Sequence, residues 1–437
     1  MKAKQVFNNA KWIIICKVIQ SVMQLIIGML CARYLGPSNY GLINYAASII
    51  AFATPVMRLG FNSTLVHEYV KRPEKEGQIA GTSIVLNMIS GLACIVGVTA
   101  FAAVANFNDI ETIIVCALYS LSLFFTALEM IQYWFQYKLM SKYSSIVMLV
   151  SYFVVSAYKI FLLATNKGVY WFAVSHAVEY GVIAIILLII YRRKGTQKFS
   201  FSKDLAKKLL HSSKHYILAD LMVMVVQHTD HIMITNMIGK ADNGFYSAAI
   251  TTVGVVQFVY YAIIDSYRPI IFSSKKESKE KYQKTISSLY SIIMYLCFAQ
   301  SIFFTVFAKL IINVLYGAEY TSSVVLLQVL VWYIAFSFMG TVRNVWILAE
   351  EKQKYVWRIN MSGAALNVVL NIIMIPYIGA LGAAIASLIT QIFANFILGF
   401  IIKPLRENNA LLIKGLSPAF FVKELKTITN LLRKNSK

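Results

Sequence analysis

The chain has 437 residues, 58% of them hydrophobic and only 14% charged, with 41 Lys and Arg against 19 Asp and Glu for a formal net charge of +22. Soluble domains carry roughly 25% charged residues, and here the apolar residues recur in runs of about 20, the length that crosses hydrocarbon. The composition therefore excludes an ordinary soluble protein. It also argues against a nucleic-acid partner, because the basic residues sit in the gaps between apolar runs, where membrane topology accounts for them.

Taken in chain order, the apolar runs predict an all-α polytopic membrane protein with twelve transmembrane helices, at 12–34, 39–59, 81–105, 110–131, 143–165, 168–191, 215–239, 244–265, 285–308, 322–345, 355–376 and 379–402. The first run follows Lys2, Lys4 and Lys11 and continues to Tyr34 with no small-residue cleavage site, so it is read as a retained span. Between the first and second runs lies Gly36-Pro37-Ser38-Asn39. Proline fixes φ and glycine admits φ > 0, so this is a tight turn at the tip of a helical hairpin. Gly36, Gly41 and Ala46 return as Gly239, Gly244 and Ala249, at a constant offset of 203 residues. The echo predicts two pseudo-symmetric six-helix lobes.

The expected organisation is a lobe over 1–191, an amphipathic linker over 192–214, a second lobe over 215–402 and a basic amphipathic tail over 403–437. In the linker Phe201, Leu205 and Leu209 keep helical spacing among lysines; in the tail Phe421, Leu425, Ile428 and Leu432 share one face, with Lys423, Lys426, Arg433 and Lys434 elsewhere. Both read as helices lying on an anionic inner leaflet. Of the 41 Lys and Arg, 33 fall at the termini or in alternate gaps on one side, while the other side has only Lys167, Lys240 and Lys309. The positive-inside rule makes both termini cytoplasmic. The outer gaps are short, which leaves no scaffold for extracytoplasmic chemistry.

Polar groups within the spans mark the expected pathway, because an ionisable side chain facing lipid costs several kcal/mol. In the first helix Lys17, Gln20, Gln24, Gly28 and Cys31 form one narrow stripe, read as cavity lining against the alternative of Lys17 snorkelling to the interface. Lys159 shares a face of the fifth helix with Tyr152 and Ser156. Asn360, Gly363, Ala364, Asn367 and Asn371 make a small-and-amide face on the eleventh, suited to substrate contact or to close helix packing. Arg343 and Arg358 lie near inner helix ends.

The seventh helix carries Asp220, Gln227, His228, Asp230 and His231. His228 and Asp230 are two residues apart and cannot face one another, so no metal site is expected. Asp230 with His231, and Glu179 with His176 one turn away, are the candidates for ion or proton coupling. The five cysteines, Cys16, Cys31, Cys94, Cys116 and Cys297, all lie in apolar runs and form no disulfide or metal pattern. No nucleotide-binding loop, Gly-x-Ser-x-Gly or His-Glu-x-x-His motif occurs, and no cofactor is expected.

The segment from Ala32 to Gly41, Ala-Arg-Tyr-Leu-Gly-Pro-Ser-Asn-Tyr-Gly, resembles the first-hairpin signature of the Wzx polysaccharide-repeat flippases, within the multidrug/oligosaccharidyl-lipid/polysaccharide exporter superfamily. Three later stretches are similar to the same family: Asp230 to Ile234 with Gly244 to Ala249, Gly317 to Tyr320, and Asn367 to Pro376 followed by Gly379 to Ala384. The resemblance implies two lobes around a central cavity that moves undecaprenyl-pyrophosphate-linked oligosaccharide from the cytoplasmic to the outer leaflet of the cell inner membrane for cell-surface polysaccharide. It further implies membrane lipids and a polysaccharide polymerase complex as partners. A pyrophosphate headgroup needs cations and hydrogen bonds to leave water, which Lys17, Gln20, Gln24, Arg33, Lys159, Arg343 and Arg358, with Asn367, could supply. The alternatives are a drug or cation antiporter of the same superfamily, which would depend more on Asp230 and Glu179, and a membrane enzyme acting on lipid-linked sugars, which the short outer gaps disfavour.

Overall fold

The structure is a computed structural model that describes residues 2–195, 197–424 and 426. Short 3-10 turns join its α-helices, and no strand occurs among the described residues. The chain packs as two compact units, Met1–Ser247 and Ala248–Lys437. The first holds α1 (Lys2–Met57), α2 (Leu65–Lys71), α3 (Glu76–Ala105), α4 (Ile110–Ser120), α5 (Ser122–Thr126), α6 (Ile131–Tyr137), α7 (Ser141–Ala164), α8 (Val169–Lys194), α9 (Lys203–Met237) and the start of α10 (Lys240–Gly254). The second holds the rest of α10, then α11 (Gln257–Glu277), α12 (Lys279–Leu315), α13 (Ser323–Ala349), α14 (Val356–Ile378), α15 (Ala380–Ile392), α16 (Leu398–Ile401) and α17 (Arg406–Leu416).

Among the described residues, ten helical stretches are long and apolar enough to cross a membrane, or eleven when α10 and α11, bent by 40°, count as one. One of the ten is Ile15–Met57, whose 43 residues would reach about 65 Å, twice the roughly 30 Å of hydrocarbon. It is two helical arms. Gly36, at φ 69 and ψ 171, breaks the helical path inside it, and Pro37 restarts it where a missing N–H costs nothing. The expected hairpin tip is therefore present as a break. Three other expected spans are also irregular: 110–131 is divided by a second helix start at Ser122 and a 3-10 turn at Ala127–Met130, 244–265 is broken between α10 and α11, and 379–402 contains a π-helical turn at Phe393–Ile397.

The first unit closes on a core of Phe61, Leu65, Tyr69, Ile79, Met130, Trp134, Tyr191, Leu205 and Leu209. Leu205 and Leu209 belong to the segment expected to lie on the lipid surface, while Phe201 stays exposed. Helical spacing shows that these residues share a face and says nothing of what covers it; here protein does, over α3. The chain leading into α9 is strapped there by Ser200 N to Gly77 O at 3.2 Å and Ser202 N to the Thr82 hydroxyl at 3.0 Å. The seventh predicted span, within α9, packs on α1, and the boundary between units falls after it, at Ser247.

In the second unit the expected tail does not lie apart. Tyr290 donates to Asn408 Oδ1 at 2.9 Å, Ser287 to the Leu411 carbonyl at 3.1 Å and Tyr295 to the Leu416 carbonyl at 3.0 Å, so α17 is held along α12. Phe421 then stacks on Tyr295 with ring centroids 3.8 Å apart. Leu425, Ile428, Leu432, Arg433 and Lys434 of the expected tail face lie outside the described residues.

Candidate functional site

Three clusters of polar side chains in the first unit bear on the expected pathway. At the end of α1, Pro55 has no N–H, so the Ala51 carbonyl loses its helical donor. A turn later the chain leaves the helix at Leu59 and Gly60, both with positive φ, and enters the 3-10 turn Phe61–Ser63. This brings Arg58 and Asn62 against the first half of α9. Between them lies a cavity of about 370 Å³ walled by Pro55, Arg58, Asn62, Asp220, Val223 and Met224, with Ala51 and Thr54 behind. Asn62 Nδ2 donates to Asp220 Oδ2 at 3.1 Å, and Arg58 Nη2 pairs with Glu129 Oε2 at 2.6 Å. Arg58 Nε and Asn62 Oδ1 are buried without a hydrogen-bond partner among the described residues.

Sequence reasoning missed this site. From sequence Arg58 reads as one of the flanking cations and Glu129 as a helix-end carboxylate, yet Glu129 keeps only 8% of its side chain exposed. The available signal was a carboxylate inside a predicted span, with an arginine closing another at a similar depth.

Deeper in the same unit, Lys159 lies close enough to act electrostatically on Cys31, His176 and Glu179. His176 stacks on Tyr119 with centroids 4.2 Å apart. Two residues chosen separately from sequence, Lys159 and Glu179, thus stand on the neighbouring helices α7 and α8. Along α1, Lys17, Gln24 and Arg33 are exposed and Gln20 half-buried.

The third cluster ties α9 to the first motif. Tyr246 donates to Asp230 Oδ2 at 2.6 Å. Asn243 Nδ2 donates to the Gly41 carbonyl at 2.8 Å, so its Oδ1, 2.7 Å from His231 Nδ1, can only accept, and that ring nitrogen carries the proton. His228 Nδ1 lies 3.4 Å from the Ser48 hydroxyl. At the far end of this region Lys240 pairs with Asp109 at 2.6 Å and with Glu111 at 3.3 Å.

In the second unit Arg343 is buried and donates to the Ala394 carbonyl at 2.8 Å and to Asn395 Oδ1 at 2.9 Å. The π-helical turn disturbs the regular backbone ladder around Ala394, and the guanidinium fills in for it. Asn409 does the same for the Phe396 carbonyl at 2.9 Å. Asn367 is buried and donates to Ser387 at 3.1 Å, so the amide face of α14 is turned to α15. Arg358 is exposed beside Tyr355 and Trp357.

A family model described as polysaccharide biosynthesis protein matches residues 30–325. An uncharacterised membrane protein of Methanocaldococcus jannaschii is 24% identical over 281 residues, covering 60% of this chain and 52% of that protein, so the chain spans about half the length of this curated relative. Two solved structures share the fold at 16% identity and a TM-score of 0.70 each. One is a multidrug resistance MATE family transporter of the MOP superfamily in an inward-facing conformation, with 91% of this chain and 96% of that one covered. The other is the lipid II flippase MurJ in an inward closed conformation, with 94% and 92% covered. With about two thirds of its residues inside the family match, this chain belongs to the polysaccharide biosynthesis protein family and is a multi-pass membrane protein with the fold of MOP-superfamily transporters.

Proposed function

We propose that the protein is a flippase that carries undecaprenyl-pyrophosphate-linked oligosaccharide from the cytoplasmic to the outer leaflet of the inner membrane by alternating access, with twelve spans and both termini cytoplasmic. The reading rests on the family match together with one structural observation: a cavity walled by Arg58, Asn62 and Asp220 inside a membrane domain. Hydrocarbon gives no reason to keep three polar side chains around open space unless polar matter uses it. The cations and amides along α1, Lys17, Gln20, Gln24 and Arg33, with Lys159 and Arg358, are assigned to the anionic headgroup, since a diphosphate leaving water needs compensating charge. Arg343 and Asn367 act by holding α13 and α14 to their neighbours.

Replacing Lys17 tests the assignment. Lys17→Ala should stall export and accumulate lipid-linked repeat units on the cytoplasmic side at normal protein level, whereas Lys17→Arg retains part of the export. Wild-type export from both variants would remove Lys17 from the headgroup site. A drug or cation antiporter is the second reading, favoured by the Lys159, His176 and Glu179 cluster, with Asp230 and His231 as further coupling groups. Unchanged drug susceptibility in a deletion strain that has lost surface polysaccharide would dismiss it.

A further inference from the structure

The cavity at the end of α1 is the wrong place for a diphosphate. Its cation, Arg58, is already neutralised by Glu129 at 2.6 Å, and Asp220 adds a carboxylate to the wall, so the three ionisable groups sum to one negative charge. What the wall still offers is a set of hydrogen-bonding side chains bordering the open space: the Arg58 guanidinium as donor, Asp220 as acceptor and the Asn62 amide as either. Pro55, Val223 and Met224 supply apolar wall between them. A small polar cluster set into an apolar lining, in a volume of about 370 Å³, is the make-up of a pocket for a compact polyhydroxylated ligand. Hydroxyls both donate and accept, as this wall requires, and sugar C–H faces pack on Pro55 and Met224.

We propose that this cavity is a saccharide subsite, deepening the transport reading on which it rests, and that it selects an uncharged or cationic sugar over an acidic one. Asp220 is the selecting residue. It accepts from a sugar hydroxyl or ammonium group and repels a uronate, while the diphosphate stays with the cations assigned to the headgroup above. Discrimination of this kind comes from the unfavourable pairing as much as from the favourable one.

The experiment uses the purified full-length protein in nanodiscs and three probes: polyprenyl diphosphate, polyprenyl diphosphate bearing N-acetylglucosamine, and polyprenyl diphosphate bearing glucuronic acid. Wild type should bind the N-acetylglucosamine lipid about tenfold more tightly than the bare lipid and the glucuronic acid lipid no more tightly than the bare one. Asp220→Asn, of nearly the same shape, should raise the affinity for the glucuronic acid lipid relative to the N-acetylglucosamine lipid by about tenfold. Ala51→Trp, which fills the cavity, should abolish the difference between glycosylated and bare lipid, with monodisperse elution confirming that both variants fold. Equal binding of the N-acetylglucosamine and bare lipids by wild type, or preference for the glucuronic acid lipid, overturns the subsite and leaves the transport reading standing. Binding of none of the three by folded wild type overturns the transport reading and the subsite together.

Discussion

Arg58 and Glu129 illustrate what a charged residue means in a chain of this kind. Removing Arg58 would strand the buried Glu129 carboxylate, which is why such pairs persist although together they add little net stability. Asp109, outside the spans, makes a pH-dependent case. Burial pushes its carboxyl up, but hydrogen bonds from Lys240, from the Thr112 hydroxyl and from the Thr112 amide outweigh this and hold it below the ordinary carboxylate range. A carboxyl depressed in the folded state contributes stability that is present above its unfolded value, about 3.9, and that is lost as pH falls through the lower folded value. The thermal midpoint of the solubilised protein should therefore fall as the buffer is taken below about pH 4, and Asp109→Asn should flatten part of that fall. An acid profile for Asp109→Asn that parallels wild type would show that the pairing with Lys240 contributes nothing. Glu350, between α13 and α14, is held low in the same way against its own burial, by Lys275 and Tyr282.

Among the elements, the two glycine-bearing motifs carry the most information. Gly36 and Gly239 both adopt positive φ, at 69° and 138°, where a side chain would be strained. Gly41 and Gly244 serve close approach instead, and they do so reciprocally. A Cβ on Gly41 would overlap the Lys240 carbonyl oxygen, and a Cβ on Gly244 would overlap the Pro37 carbonyl oxygen. Positions 37 and 41 become 240 and 244 under the same offset of 203, so the motif copies meet as a self-complementary pair, the geometry of a local twofold. Gly41→Ala and Gly244→Ala should each destabilise the solubilised protein by about 1–3 kcal/mol, as overpacking does. Because both insert into one shared contact, the double variant should cost less than the sum of the singles. Thermal or denaturant unfolding of the four proteins measures this, and strict additivity would show that the two contacts are independent.

For the whole molecule, the charge alternation makes a commitment that helix packing does not. Reporter fusions after Lys240 and after Lys403 should score outside and inside. The reverse result would invert the proposed direction of transport while leaving the fold intact. The four glycines of the two motif copies, Gly36, Gly41, Gly239 and Gly244, lie in the Met1–Ser247 unit, whose α9 packs on α1, while Ala249 falls in the other unit.

The sequence by itself determined that the chain is helical and membrane-embedded, and that Gly36, Gly41 and Ala46 have counterparts 203 residues on. These are local properties: apolar run length, charge between runs, and the φ restrictions of Gly and Pro all read directly along the chain. Only the tertiary structure decided the partners of the buried polar groups. Arg58 meets Glu129 across 71 positions and Asn62 meets Asp220 across 158. Arg343, an apparent pathway cation, is turned onto the π-helical segment 52 positions away. Helical periodicity places a side chain on a face, but whether lipid, cavity or another helix covers that face depends on contacts distant in sequence, and for Leu205, Leu209 and the amides of α14 the answer was protein.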